Sequence, residues 1–288
     1  MLKSAIMGSL IVLAFIACNG SDVTRPPDVN DHDAIYHIII YDRASEFNLN
    51  LLDFSIPDTL SPLPAQLQVE HYWFNLTYDS LDLIIDIEYP DFHDTLGTLP
   101  EADVEEIKLF YGTLEVIGID TAGGGQTPIR FSTEFAIRAE ISARFKKFGS
   151  DYNYRRGWLL TQISDIAFSA TYPGGITQVR ISSASYADLI VMPGLKTLDN
   201  IPAFAPGESL TVTISGSNLD DVFRVRFPGD NGYQTVTVTP VNDSVVTGFR
   251  MPGTGQVNHI LVEAIGETSF REIGPFRYEA VGVLFRVE

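Results

Sequence analysis

The stretch FSTEFAIRAEISARF, residues 131–145, decides how this chain is read. Phe131, Thr133, Phe135, Ile137, Ala139, Ile141, Ala143 and Phe145 take every second place, with Ser132, Glu134, Arg138, Glu140, Ser142 and Arg144 between them. A period of two sends alternate side chains to opposite faces of an extended backbone, so one face is expected to be buried and the other wet. A helix competes for the same residues, because Ile137, Ile141, Phe145 and Phe148 follow helical spacing and Gly149 offers a stop. The strand is preferred: the alternation begins at Phe131, ahead of the helical set, and runs through it unbroken. The polar turn GSDYNYRRG (149–157) and a second β-rich run at 158–170, holding Trp158, Leu160, Ile163, Ile166 and Phe168, complete an expected long hairpin.

Working outward from this hairpin, residues 69–78 (with Tyr72, Trp73, Phe74 and Tyr78) and the segment LIIDIEY (83–89), closed by Pro90, are expected as strands. An acidic loop, residues 91–106, leads to a strand over 107–120 that stops at Gly123-Gly124-Gly125. Ahead of them, residues 34–47 are expected to be helical, capped by Asp31 or Asp33, although Ile38-Ile39-Ile40 favours a strand. Residues 49–67, rich in Leu and Pro, form a connection. Beyond the hairpin come a strand at 177–186 and a linker at 189–201 containing Pro193-Gly194. Strand-like runs then follow at 209–215, 222–227, 234–239, 245–249, 259–264 and 276–285, separated by Gly-, Pro- and Asn-rich turns. Short strands at that spacing argue for an antiparallel sandwich. The expected fold is therefore an α+β domain over 34–188, with one main helix on a long-stranded antiparallel sheet, followed by an all-β immunoglobulin-like sandwich over 202–288.

Three stretches resemble known families. Lys3, an apolar run over 5–17 too short for a comfortable transmembrane helix, and the lone Cys18 have the pattern of a secretory signal. Phe15-Ile16-Ala17-Cys18 resembles the lipobox of bacterial lipoproteins, in which the cysteine is lipidated and becomes the mature N-terminus. That resemblance implies a signal peptide at 1–17, lipidation of Cys18, a tether over 18–33 that includes Pro26-Pro27, and anchoring in the bacterial cell envelope through acyl chains in a lipid bilayer. A cleaved secretory signal with an incidental cysteine is the alternative reading. The order of helix, Tyr-Trp-Phe strand and long antiparallel strands over about residues 31–170 is similar to the cone-shaped fold of the nuclear transport factor and SnoaL-like superfamily, which implies a sheet wrapped round a pocket. APGESLTVTISGSNLDDVFRVRFPG (205–229) resembles the opening of IPT/TIG-type immunoglobulin-like domains, though a generic immunoglobulin-like sandwich stays open; such domains space or adhere.

Composition narrows the chemistry. The chain carries 19 basic and 37 acidic residues, a net charge of −18, and a hydrophobic fraction of 45% that supplies ample core. A surface this acidic repels phosphate backbones, so nucleic acid is not an expected partner. Beyond Cys18 no cysteine follows, so the exported body has neither disulfide nor thiol chemistry. No GxSxG elbow, HExxH pair or phosphate-cradling glycine motif is present, and His32, His37, His71, His93 and His259 are scattered. The adjacent side chains of Asp31-His32-Asp33 do not converge on one ion, and a capping role fits them better; Asp91, His93 and Asp94, with Glu101, Asp103, Glu105 and Glu106 close behind, lack the order of a calcium loop and read as a solvated acidic loop. No catalytic residue, metal site or cofactor is assigned, and the balance leans away from an enzyme. Trp73, Tyr152, Tyr154 and Trp158 are candidates for an aromatic ligand platform, with core and hairpin roles as the alternative. The expected function is a membrane-anchored lipoprotein with a binding or envelope-scaffold role, its partner another envelope protein or a glycan. The alternatives are a carrier of a small apolar or glycan ligand, or a hydrolase or isomerase, using a pocket of the N-terminal domain.

Overall fold

The structure is a computed structural model that describes residues 28–52, 67–90, 97–120, 126–191, 194–216, 221–229, 232–238, 244–251, 257–270 and 274–288. It is mostly antiparallel β-sheet with one short α-helix. Helix α1, Asp31–His37, starts at Asn30, whose Oδ1 accepts from the Asp33 amide at 2.8 Å, so the cap is Asn30 and the two aspartates sit in the first turn. The helix is shorter than expected. At the β-branched run Ile38-Ile39-Ile40 it widens into a π turn, Ile38–Asp42, closed by the Arg43 amide donating to the Ile38 carbonyl at 2.8 Å.

Three long strands follow: β1, Leu67–Glu88; β2, Glu101–Asp120; and β3, Thr127–Lys147. β1 is a single strand where two were expected, because the polar residues between the two apolar runs simply pair with β2. β2 starts at Glu101, so the second half of the expected acidic loop is strand; residues 91–96, with His93, and the glycine turn at 121–125 lie outside the described residues. β3 has the expected alternation, with Phe135, Ile137, Ala139, Ile141, Ala143 and Phe145 all buried. Its partner run breaks in two, β4, Trp158–Ile163, and β5, Ile166–Ala170, both paired with β3.

The remaining strands are β6, Ile176–Ser182; β7, Leu189–Ile190; β8, Lys196–Thr197; β9, Ala203–Phe204; β10, Ser209–Gly216; β11, Val222–Gly229; β12, Gly232–Val238; β13, Ser244–Arg250; β14, Val257–Ile265; and β15, Tyr278–Val287. The main sheet runs β1-β2-β3-β5-β15-β14-β11-β12, and a second sheet runs β13-β10-β6-β7. Two expectations change here. β6, grouped by sequence with the N-terminal unit, is hydrogen bonded to β10. Segments on both sides of the 189–201 linker also share one sheet, through β5 and β15.

The main sheet curls. Tyr72 of β1 lies edge-on to Phe270 and accepts a hydrogen bond from Arg224 of β11, near the opposite end of the strand order. The concave interior holds one hydrophobic cluster, with Phe74, Phe110, Phe145 and Trp158 joined by Leu261, Tyr278 and Leu284. Ala34, Ile35, Ile38 and Ile39 of the helical segment complete it. A second cluster lies between the two sheets, Val212 and Ile214 against Val225, Ile260 and Phe285, in a sandwich-like arrangement.

A dense ionic clamp seats α1. Lys147 donates to both Asp31 oxygens at 2.9 Å, Arg156 to Asp31 at 2.7 Å and Tyr89 to Asp31 at 2.7 Å. Arg155 bridges Asp42 at 2.7 Å and Asp28 at 2.9 Å. Burial pushes the Asp31 carboxyl up, but its hydrogen bonds outweigh burial and hold it well below the usual carboxylate range. Burial, then the bond to Asp31, raise Tyr89 to about 12. Arg155 and Arg156 both have φ of 51°, a left-handed conformation that costs a non-glycine residue on the order of 1 kcal/mol. The ion pairs offset that cost and lock the β3–β4 turn to the helix.

Candidate functional site

The break between β4 and β5 shapes a cleft. The Ser164 amide donates to the Ser142 carbonyl at 2.8 Å and the Ser142 amide to Ser164 Oγ at 2.9 Å, so this serine replaces strand pairing for one step. Asp165 then turns its carboxylate to β15, where Oδ1 accepts from the Leu284 amide at 2.9 Å and from Lys196 Nζ at 2.6 Å. The side chain thus satisfies a backbone donor that the broken strand leaves behind. Its other oxygen, Oδ2, is buried and has no partner among the described residues.

Beside this break, between β3, β5 and β15 on one side and β6 with Val191, Gly194 and Leu195 on the other, lies a cleft of about 510 Å³. Its polar groups include Glu140, Asp165, Glu279, Ser142 and Ser164, and its apolar walls include Ile166, Val179, Leu195 and Val281. Burial pushes the Glu279 carboxyl up, against a hydrogen bond from the Ile176 amide at 3.3 Å. Glu140 is paired with Arg138 at 2.6 Å and shares a carboxyl–carboxylate hydrogen bond with Glu105. That bond raises Glu105. Burial raises Glu140, but the bonds from Arg138 and Glu105 prevail and lower it. A concave site with apolar walls and a few carboxylates is suited to a small ligand with an apolar body and hydrogen-bond donors or a positive charge. Among the described residues, no histidine lines it.

The polar groups of the curled interior have a different role. Arg224 donates to Glu263 at 2.7 Å, and Tyr278 donates to the same oxygen at 2.8 Å. Arg226 donates to the Leu51 carbonyl. In the run VFRVRF (222–227), Phe223, Val225 and Phe227 enter the inter-sheet cluster while both arginines enter the concave side. This ionic group ties opposite ends of the sheet together and is almost wholly buried. Burial, then the charge of Lys196, lower His259 to about 3, which keeps it neutral at ordinary pH.

The four aromatic candidates do not form a platform. Trp73 is half-buried on β1 opposite Glu115, which pairs with Ser132 of β3. Trp158 is buried opposite Lys147, about 50 Å further along β3 at some 3.3 Å per residue. Tyr152 is fully exposed, and Tyr154 hydrogen bonds to Asp42 in the clamp at 2.9 Å. Trp158 is a core residue because its large apolar surface closes the interior beneath that clamp. The cleft residues went unread in the sequence; the one local sign is Ser164-Asp165, a polar pair interrupting an apolar run. Cys18, the signal peptide and most of the tether lie outside the described residues. Among the described residues no helix is long and apolar enough to cross a membrane, and no group of three or more His, Cys, Asp or Glu is placed to hold a metal ion.

No family model, curated protein or solved structure matches the chain.

Proposed function

We propose that this chain is an exported bacterial lipoprotein, anchored in a membrane of the cell envelope by acyl chains on Cys18, with a non-catalytic binding role. The observation that supports binding is the cleft beside Asp165, whose volume of about 510 Å³ and mixed lining suit one small ligand. Among the described residues its lining offers carboxylates and hydroxyls without a histidine to activate a nucleophile, which favours binding over hydrolysis or isomerisation. The finer fold reading belongs to the same proposal. The curled sheet with one helix in its concave side supports a nuclear transport factor or SnoaL-like cone, and two sheets packed across a shared cluster support an immunoglobulin-like module.

Anchor and ligand are tested separately. Cys18→Ala is expected to move the protein from the membrane to the soluble fraction of an exporting bacterial host; unchanged membrane retention overturns the lipoprotein reading. The soluble Cys18→Ala protein, incubated with envelope extract, is expected to hold an adduct in native mass spectrometry. Leu195→Trp, which fills the cleft from its rim, is expected to abolish it. A bare mass after incubation removes the ligand from the proposal.

A further inference from the structure

The longest described strand, β1, lies at an edge. β1 ends the order of the main sheet and pairs only with β2 among the described strands. Its register shifts twice, between Val69 and His71 and between Leu76 and Tyr78; past the second shift, residues 78–88 pair with residues 101–111 without interruption. The other side of this run therefore presents alternate N–H and C=O groups with no described strand beside them. Tyr78 is 55% exposed, Leu81 51% and Ile84 51%, all on an edge that natural sheets ordinarily keep short or polar. Proline and lysine, the common protections of an edge, are absent from residues 78–88.

The charges say what does not belong there. Asp79 is paired with Lys108, but Asp82 and Asp86 are exposed and form no ion pair among the described residues. A second copy of the chain laid along this edge would bring two such carboxylates from each strand into one seam and no cation from either. The net charge of −18 on each copy adds to that repulsion. The geometry points to a partner of opposite sign: the edge at residues 78–88 accepts an extended segment of another protein in which lysine or arginine alternates with apolar residues. Backbone pairing supplies the attachment, Ile84 and Leu81 supply apolar contact on the two faces, and Asp82 and Asp86 select positive charge. This goes beyond the cleft reading, since the edge and the cleft use different residues.

The test uses the soluble Cys18→Ala protein and a capped peptide of alternating lysine and valine, about ten residues long to match the run. The peptide is expected to bind, to slow hydrogen exchange at residues 78–88, and to bind about tenfold more weakly as salt rises from about 0.05 M to about 0.3 M. N-methylation of every residue of the peptide, which removes the backbone donors on both of its sides and keeps the charge, is expected to weaken binding by at least about tenfold. The double variant Asp82→Lys, Asp86→Lys, altered only at exposed positions, is expected to lose the lysine peptide and gain a glutamate–valine one. Equal binding of the methylated peptide, protection that instead grows with protein concentration in the absence of peptide, or no binding at all would each overturn the proposal.

Discussion

At the scale of single residues, the informative groups are acids placed where water is scarce. Glu106 of β2 is 5% exposed, sits between Leu83 and Ile141 in the ladder, and has one carboxylate oxygen without a partner among the described residues. Burial raises it to about 7, with Lys108 pulling the other way. An acid whose folded-state pKa exceeds its unfolded one binds more protons when folded, so its effect is to make stability fall as pH rises from about 4.5 to about 7. Glu106→Gln is therefore expected to flatten that slope and to stabilise the protein above pH 7 by on the order of 2 kcal/mol. Urea unfolding of both proteins across that range checks it; parallel curves would show that Glu106 stays ionised in the fold. None of this was legible in the sequence, where Glu106 is one of a run of acids and its burial depends on which strands flank it.

At the scale of elements, β3 carries the sheet. It pairs with β2 along its whole length and with β4 and β5 on its other side, and its inward residues alternate as their sequence spacing requires. Ile141→Asp places a charge at a position that is fully buried within the hydrophobic cluster, beside Glu106 in the ladder. The expected outcome is loss of the cooperative melting transition and of near-ultraviolet circular dichroism; a wild-type melt would contradict the inward placement of Ile141. Close packing at Gly112 is a second element-scale constraint. A Cβ there would run into the Asn75 carbonyl beside the β1 bulge and come within 2.7 Å of the Phe135 ring. Gly112→Val is accordingly expected to lower the melting temperature by several degrees, read by calorimetry.

For the whole molecule, the two halves of the sequence are one folded body. β5 and β15 are neighbours in the main sheet, and the interior cluster draws on Phe145 and Trp158 as well as on Val222, Leu261 and Leu284. Shared burial couples their unfolding. In urea, tryptophan fluorescence, which reports on Trp73 and Trp158, and hydrogen exchange of the β14 amides are expected to give coincident midpoints. Two separated midpoints would mean that the shared cluster contributes little and that the segments before and after residue 189 fold as independent units.

The residue order alone determined that the chain is built from strands, because alternation of apolar and polar side chains is a local property that the backbone converts directly into two faces. It placed β3 and the six strands from β10 onward nearly to their ends, left the two-residue strands β7, β8 and β9 unread, and marked the turn at 149–157. It carried the helix to residue 47 against the counter-signal of three successive isoleucines, where the α-helix gives way to a π turn. Only the tertiary structure decided which strands meet, that β5 joins β15 and β6 joins β10, and that the sheet curls until Tyr72 reaches Arg224. The physical reason is that loop-closure entropy grows only slowly with length, so a pairing across a hundred residues costs little more than a near one and leaves no local mark. The cleft beside Asp165 and the bare edge of β1 are products of those long-range pairings.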